Sequence, residues 1–263
     1  MPAFRRLFFL FFLISPGVLF SFTGAKAGSL DLPFAPGEEI TYNVRWQQIQ
    51  AGTACIKVLP FARVDNISAF HFQLSAKSNK FVDNFYKIRD VMEGFVDKDF
   101  SGSLFYKQTS TGKRKKEILV EFSLDKHEVV YSNFGGKRKP IKIPLNTFDP
   151  VGSFYRLRTL DFEVGKTLNF PVTDGKKCFL QKGEILKKER LTTPSGTFDA
   201  FVVVPSVTHF SGVFEKSRDP TVRIWISDDE NKIPVRIQIK VVVGSIIFDL
   251  VSVKPGEDFV KGY

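Results

Sequence analysis

The chain has 263 residues, 43% of them hydrophobic and 25% charged, with a formal net charge of +10 at pH 7. That length can bury a large core, and no segment beyond residue 27 approaches the roughly 20 apolar residues of a helical membrane span. Three His far apart and two Cys argue against a metal cluster and a disulfide-dense scaffold, and a basic balance by itself names no partner.

Residues 1–27 read as a secretory signal peptide. Arg5 and Arg6 form a short basic start, Leu7–Phe22 is almost continuously apolar, and Ala25-Lys26-Ala27 is a small-x-small cleavage pattern. No Cys lies near Ala27 to accept a lipid. The expected mature chain is residues 28–263, a single β-rich domain in the periplasm with no transmembrane segment after cleavage. In that oxidising compartment Cys55 and Cys178 are a candidate disulfide, and each also suits a buried thiol.

From residue 39 onward the rhythm is two. Tyr42, Val44 and Trp46 alternate with Thr41, Asn43 and Arg45, and Phe70, Phe72, Leu74 and Ala76 alternate with His71, Gln73, Ser75 and Lys77. Val222, Ile224, Ile226 and then Val235, Ile237, Ile239 repeat the pattern. Strict alternation predicts half-buried antiparallel strands with one apolar face. Asp97-Lys98-Asp99, Thr111-Gly112, Asp125-Lys126, Asp174-Gly175, Ser195-Gly196, Asp228–Asn231 and Gly244 supply turns between runs. Roughly twelve strands follow from these signals, and a sheet that large must curl or close. The predicted fold is mainly β: one large, strongly curved antiparallel sheet, an open or partly closed barrel-like meander, with one short helix.

That helix is predicted over about 150–160. Asp149 suits the N-cap, Pro150 the first helical position, and Val151, Phe154, Tyr155, Leu157 and Leu160 follow at helical spacing. A second helical turn is expected near Lys80–Tyr86. The stretch Gly135–Thr147 is the best place for a division between halves. Lys113-Arg114-Lys115-Lys116 and Gly135–Pro140 read as two basic loops, which would form an anion-facing edge if they shared a rim.

Catalytic constellations are scarce. His71, His127 and His209 have no ligand spacing, no Gly-x-Ser-x-Gly elbow or phosphate-binding glycine loop occurs, and Glu38-Glu39 and Asp228-Asp229 lack an acid–base setting. Lys176 and Lys177 precede Cys178 and could lower its thiol pKa, although on a strand Lys177 points the other way. No cofactor, metal or nucleic acid is expected. The candidate binding residues are Asp149, Tyr155 and Arg158 on the helix, Tyr86 and Arg89 in a neighbouring strand, and Trp46. Arg158 would bind an anion or pair with a carboxylate inside the curl of the sheet.

Several stretches, taken in order, resemble a bacterial exported family known as domain of unknown function 3108. They are Pro33–Trp46 with Ala51-Gly52-Thr53-Ala54, Asp149–Arg158, Gly196–Ala200 and Ile233-Pro234-Val235. The resemblance implies a periplasmic β-rich protein and brings no activity, cofactor or catalytic residue with it. Cys55 and Cys178 are outside its pattern, so a disulfide would be particular to this chain. The functions then rank as a non-enzymatic binding or carrier module for an apolar or amphipathic envelope ligand such as a lipid or lipoprotein, then an assembly partner of another periplasmic or outer-membrane protein, then an envelope-acting enzyme.

Overall fold

A computed structural model describes residues 32–206, 221–241 and 244–257. The expected leader 1–27, His209 and Val242-Val243 lie outside the described residues. Alternating sequence becomes strand through most of the rest. In chain order the elements are β1 (Glu39–Trp46), β2 (Ile49–Val64), β3 (Ile67–Ser78), α1 (Lys80–Asp83), β4 (Arg89–Asp97), β5 (Ser103–Thr111), β6 (Lys115–Ser123) and β7 (Glu128–Asn133). There follow β8 (Gly136–Lys137), β9 (Ile141–Lys142), α2 (Pro150–Arg158), β10 (Thr167–Thr173), β11 (Cys178–Thr193), β12 (Gly196–Pro205), β13 (Thr221–Ser227), β14 (Pro234–Val241) and β15 (Gly244–Lys254). The fifteen strands exceed the twelve expected partly because β8 and β9 have two residues each, too short to show a period. Both helical segments form, α1 as a single turn.

All fifteen strands belong to one large antiparallel sheet, as the sequence predicts, and of the open and partly closed forms the sheet is the open one. Its order is β10-β11-β12-β13-β14-β15-β1-β2-β3-β4-β5-β6-β7-β8, with β9 also on β7. The chain therefore starts in mid-sheet at β1, meanders to one edge at β8–β9, crosses through α2 to the far edge at β10, and meanders back until β15 pairs with β1. The segment Gly135–Thr147 leads into that crossing.

The two edges are brought near one another by curvature. Phe148, just before α2, bridges Val172 of β10. The β10–β11 turn reaches the inner side of β6 and β7: a Cβ on Gly175 would stand 2.7 Å from Val120 Cγ2 and 3.2 Å from Tyr131 Cβ. Its φ of +83° also needs glycine there.

Meander connectivity sorts the turns onto two ends. Turns at 47–48, 79–88, 112–114 and 134–135 share one end, here called the rim, and those at 65–66, 98–102, 124–127 and 228–233 share the other, the floor. The floor is filled by aromatic rings. Tyr155 of α2 stacks on Phe72 with centroids 3.8 Å apart, Phe34 meets both edge-on, and Phe100 links Phe34 to Phe148. Each of these five residues is buried. Such close ring packing adds to the hydrophobic burial that holds the closed end together.

Candidate functional site

The helix that plugs the floor is set by its first residue. Asp149 is fully buried, and its Oδ1 accepts from the backbone N–H groups of Val151 and Gly152 at 2.7 and 3.0 Å. Its Oδ2 accepts from Ser103 Oγ at 2.6 Å, and that hydroxyl accepts in turn from the Asp149 N–H. Asp149 is thus a cap that ties α2 to β5. Burial pushes its carboxyl up to about 6, while the Ser103 and backbone bonds act in the opposite direction.

Arg158 closes the other end of α2. Its guanidinium holds both oxygens of Glu38 at 2.6 and 2.9 Å and donates to the carbonyls of Pro33 and Asn231 at 2.7 and 2.9 Å. The side chain is wholly buried, with its cation 5.2 Å from the Phe34 centroid and 5.5 Å from that of Tyr155. Of the two roles expected for Arg158, it takes the paired one: the guanidinium is occupied by a carboxylate and two carbonyls. Among the described residues, the Tyr155 hydroxyl and Arg158 Nε are the buried side-chain polar atoms without a hydrogen-bond partner.

Tyr86, Arg89 and Trp46 lie at the rim, away from α2. Arg89 pairs with Asp83 at 2.6 Å and also donates to Ser78, bracing the loop that carries α1. Tyr86 sits under Lys113, whose ammonium is 6.0 Å from the ring centroid. Trp46 borders a small apolar crevice together with Val44, Ser78 and Val82. The six candidates therefore form two separate groups, neither of which is a shared site.

Cys55 and Cys178 are both free thiols, which corrects the candidate disulfide. Their strands, β2 and β11, are not neighbours in the sheet. Cys55 donates to Glu39, and Cys178 contacts Thr147. Burial pushes the Cys178 thiol up to about 11, the opposite of activation by Lys176 and Lys177. His71 bonds Glu93 at 3.1 Å and stacks on Phe95, as a strand residue in a polar pair. Asp229 caps the turn ahead of Asn231 and Lys232. Among the described residues no cluster of three His, Cys, Asp or Glu could hold a metal ion.

The feature that the six candidates miss is the space between α2 and the sheet. Above the filled floor lies a cavity of about 200 Å³. On one arm of the sheet it is walled by Tyr42, Ile56, Leu74, Met92, Tyr106, Ile118 and Tyr131, and on the other by Leu168, Val203, Ile224, Ile237, Ile239 and Phe248. Phe154 and Leu157 of α2 project into it. Its volume exceeds the roughly 150 Å³ apolar hole that admits benzene, and is below the roughly 300–1,000 Å³ of drug-sized sites. Period-two alternation marks Tyr42, Leu74, Ile224, Ile237 and Ile239 among these side chains as facing the core. Their failure to meet across the curl is a property of sheet curvature, which no local pattern encodes.

Toward the rim the lining turns polar. Gln108, Asp174, Lys176, Gln181 and Lys182 border the cavity. Two residues further along β4, β5 and β6, on the same face as Met92, Gln108 and Ile118, stand Asp90, Ser110 and Lys116 in direct register. Burial pushes the Lys116 ammonium down to about 8 and raises the Asp90 carboxyl. Lys176 covers the Tyr131 ring at 4.6 Å. The arrangement is an apolar pocket with charged groups at one end.

A curled antiparallel sheet, plugged by a helix at one end and hollow toward the other, defines a β-barrel-like protein with an internal apolar site. The chain belongs to the family described as protein of unknown function DUF3108, whose model matches residues 41–251. The fold is similar to a β-barrel-like protein of domain of unknown function DUF1849 from Brucella abortus, at 13% identity and a TM-score of 0.54, covering 84% of this chain and 98% of that one. A Bacteroides fragilis protein with a YmcC-like fold aligns at 10% identity over 86% of this chain and all of that one, with a TM-score of 0.42 that is too low to support an argument. No curated protein matches the sequence.

Proposed function

We propose that this protein is an exported periplasmic carrier that holds the apolar part of an envelope lipid or similar amphiphile in the cavity between α2 and the sheet. One observation carries the reading: both arms of the sheet turn apolar side chains toward a common space that they do not fill. A pocket walled by Ile, Leu, Met and aromatic groups, with few polar atoms, suits an alkyl chain. Charged groups on its rim side suit a head group that stays near water. The leader-like residues 1–27 support an envelope location, and the mature chain is then residues 28–263 acting as one domain. No helix of the described residues is long and apolar enough to cross a membrane.

The test is to purify the protein from the envelope fraction of its host and extract it for lipid mass spectrometry. A stoichiometric amphiphile is expected. Protein that is free of lipid and gives no saturable uptake of a fluorescent fatty acid would end this reading. The second reading, an assembly partner in envelope biogenesis, draws on the outer edge of β10, which the described residues leave without a full partner strand. Crosslinking in intact cells tests it: recovery of monomer alone would count against it.

A further inference from the structure

The rim carries a feature that the cavity does not require. Three phenylalanines are exposed there: Phe81 at 56%, Phe85 at 59% and Phe134 at 57%. Phe81 and Phe85 meet edge-on, with centroids 5.6 Å apart. Exposed apolar groups scattered singly are ordinary, but these sit on loop tips that share one end of the sheet. Two of the tips are also bound together. Lys113, on the β5–β6 turn, donates its backbone N–H to the Lys87 carbonyl at 2.9 Å and its ammonium to the Phe85 carbonyl at 3.3 Å. Phe134 is tied to β6 by its N–H bond to the Glu117 carbonyl at 2.9 Å.

The charge of this surface is one-sided. The segments 79–88, 111–116 and 133–139 hold nine Lys or Arg and a single carboxylate, Asp83, which Arg89 neutralises. Lys137 is engaged by Glu121, Lys116 lies on the inner face in the field of Asp90, and Glu117 borders the patch. The two basic loops of the sequence thus share a rim: both the β5–β6 and the β7–β8 turns fall at this end. Rings that can insert among head groups, on a base of cations, match an anionic bilayer in both chemistry and sign of charge. The rim is also continuous with the charged side of the cavity. Lys113 and Arg114 follow Gln108 by five and six residues, and Lys116 precedes Ile118 by two.

We infer that the rim formed by Phe81, Phe85, Phe134, Lys113 and Arg114 docks this protein on the surface of an anionic lipid bilayer. The rings enter the interfacial layer, and the cations lie over lipid phosphates. The inference stands on surface residues alone and holds whether or not the cavity takes a ligand.

Vesicle co-sedimentation tests it. The protein is used as its host processes it, with the N-terminus read by mass spectrometry. Vesicles of phosphatidylethanolamine with phosphatidylglycerol are compared with vesicles of phosphatidylcholine alone. The wild type is expected to bind the anionic vesicles at least about tenfold more tightly, and to lose that preference at about 0.5 M salt. Lys113→Glu with Arg114→Glu should weaken anionic binding at least about tenfold. Phe81→Ser with Phe85→Ser should weaken it while leaving the thermal midpoint in place, since both side chains are exposed. If the double Phe variant fails to fold, Phe85→Ser alone replaces it. Equal binding to both vesicle types, no binding by the wild type, or anionic binding unchanged in both variants overturns the proposal. The lipid-extraction result in the preceding section is a separate readout, so failure of one leaves the other interpretable.

Discussion

Arg158 grips both carboxylate oxygens of Glu38, at 2.6 and 2.9 Å, across 120 positions of sequence. The pair joins the end of α2 to the start of β1 and closes the floor of the sheet. Removing one partner leaves a buried charge without compensation, which typically costs about 3–5 kcal/mol. Glu38→Ala should therefore lower the urea midpoint sharply. Replacing both residues with Leu should cost less than either single change, because no unpaired charge is left inside. A surface-like loss of under about 1 kcal/mol for Glu38→Ala would show that the pair does not hold the floor.

Tyr155 separates a structural helix from a binding one. Its ring is stacked on Phe72, whereas its hydroxyl is buried without a partner among the described residues. A buried polar group left unsatisfied costs about 1–3 kcal/mol. Tyr155→Phe should fold with equal or higher stability and keep its lipid uptake. A stable variant that no longer takes up lipid would restore Tyr155 as a binding residue.

Asp149 predicts a pH dependence. Its carboxyl is raised by burial from 3.8 to about 6 in the folded protein. Between those values the folded state keeps a proton that the unfolded state has lost, so stability declines as pH rises from about 4 to about 6 and then levels off. Asp149→Asn retains an acceptor for the helix N-terminus and removes the titration. Relative to this variant, the wild type should lose up to about 3 kcal/mol between pH 4 and pH 7. Parallel stability curves would show that Asp149 titrates as an ordinary carboxyl.

Gly94 is the space that the cap occupies. A Cβ there would lie 2.6 Å from Asp149 Oδ1. Gly94→Ala should cost about 2 kcal/mol by displacing the cap, and much less in an Asp149→Ala background. Additive losses in the double variant would place the damage elsewhere.

Met92 tests the cavity itself. It lines the space from the middle of the sheet. Met92→Trp should fill that space, weakening uptake of a fluorescent fatty acid at least tenfold with a stability change of about 1 kcal/mol or less. Unchanged uptake would mean that the probe binds outside the cavity.

Much of the architecture was legible because its causes are local. Alternation at Tyr42-Val44-Trp46 and Val235-Ile237-Ile239 gave strands, and Asp149-Pro150 gave a helix start, since pleat and cap chemistry act over a few residues. Arg158 could be identified as a charge that must find a partner. Glu38 as that partner could not, because the contact depends on how far the sheet curls. The cavity escaped for the same reason: Ile56, Ile118 and Ile237 look alike whether a side chain or empty space faces them. Which of the two states Cys55 and Cys178 take was not legible, because Cys spacing carries no information about strand order.

The sequence by itself determined an alternating, antiparallel chain with one capped helix, and it carried the motifs of the family. Only the tertiary structure decided which apolar residues fill the floor and which surround a hollow, and that two basic loops share a rim with exposed phenylalanines. Side-chain period is written residue by residue. Curvature, closure and the meeting of distant loops arise from the summed twist of fifteen strands, a property of the whole sheet.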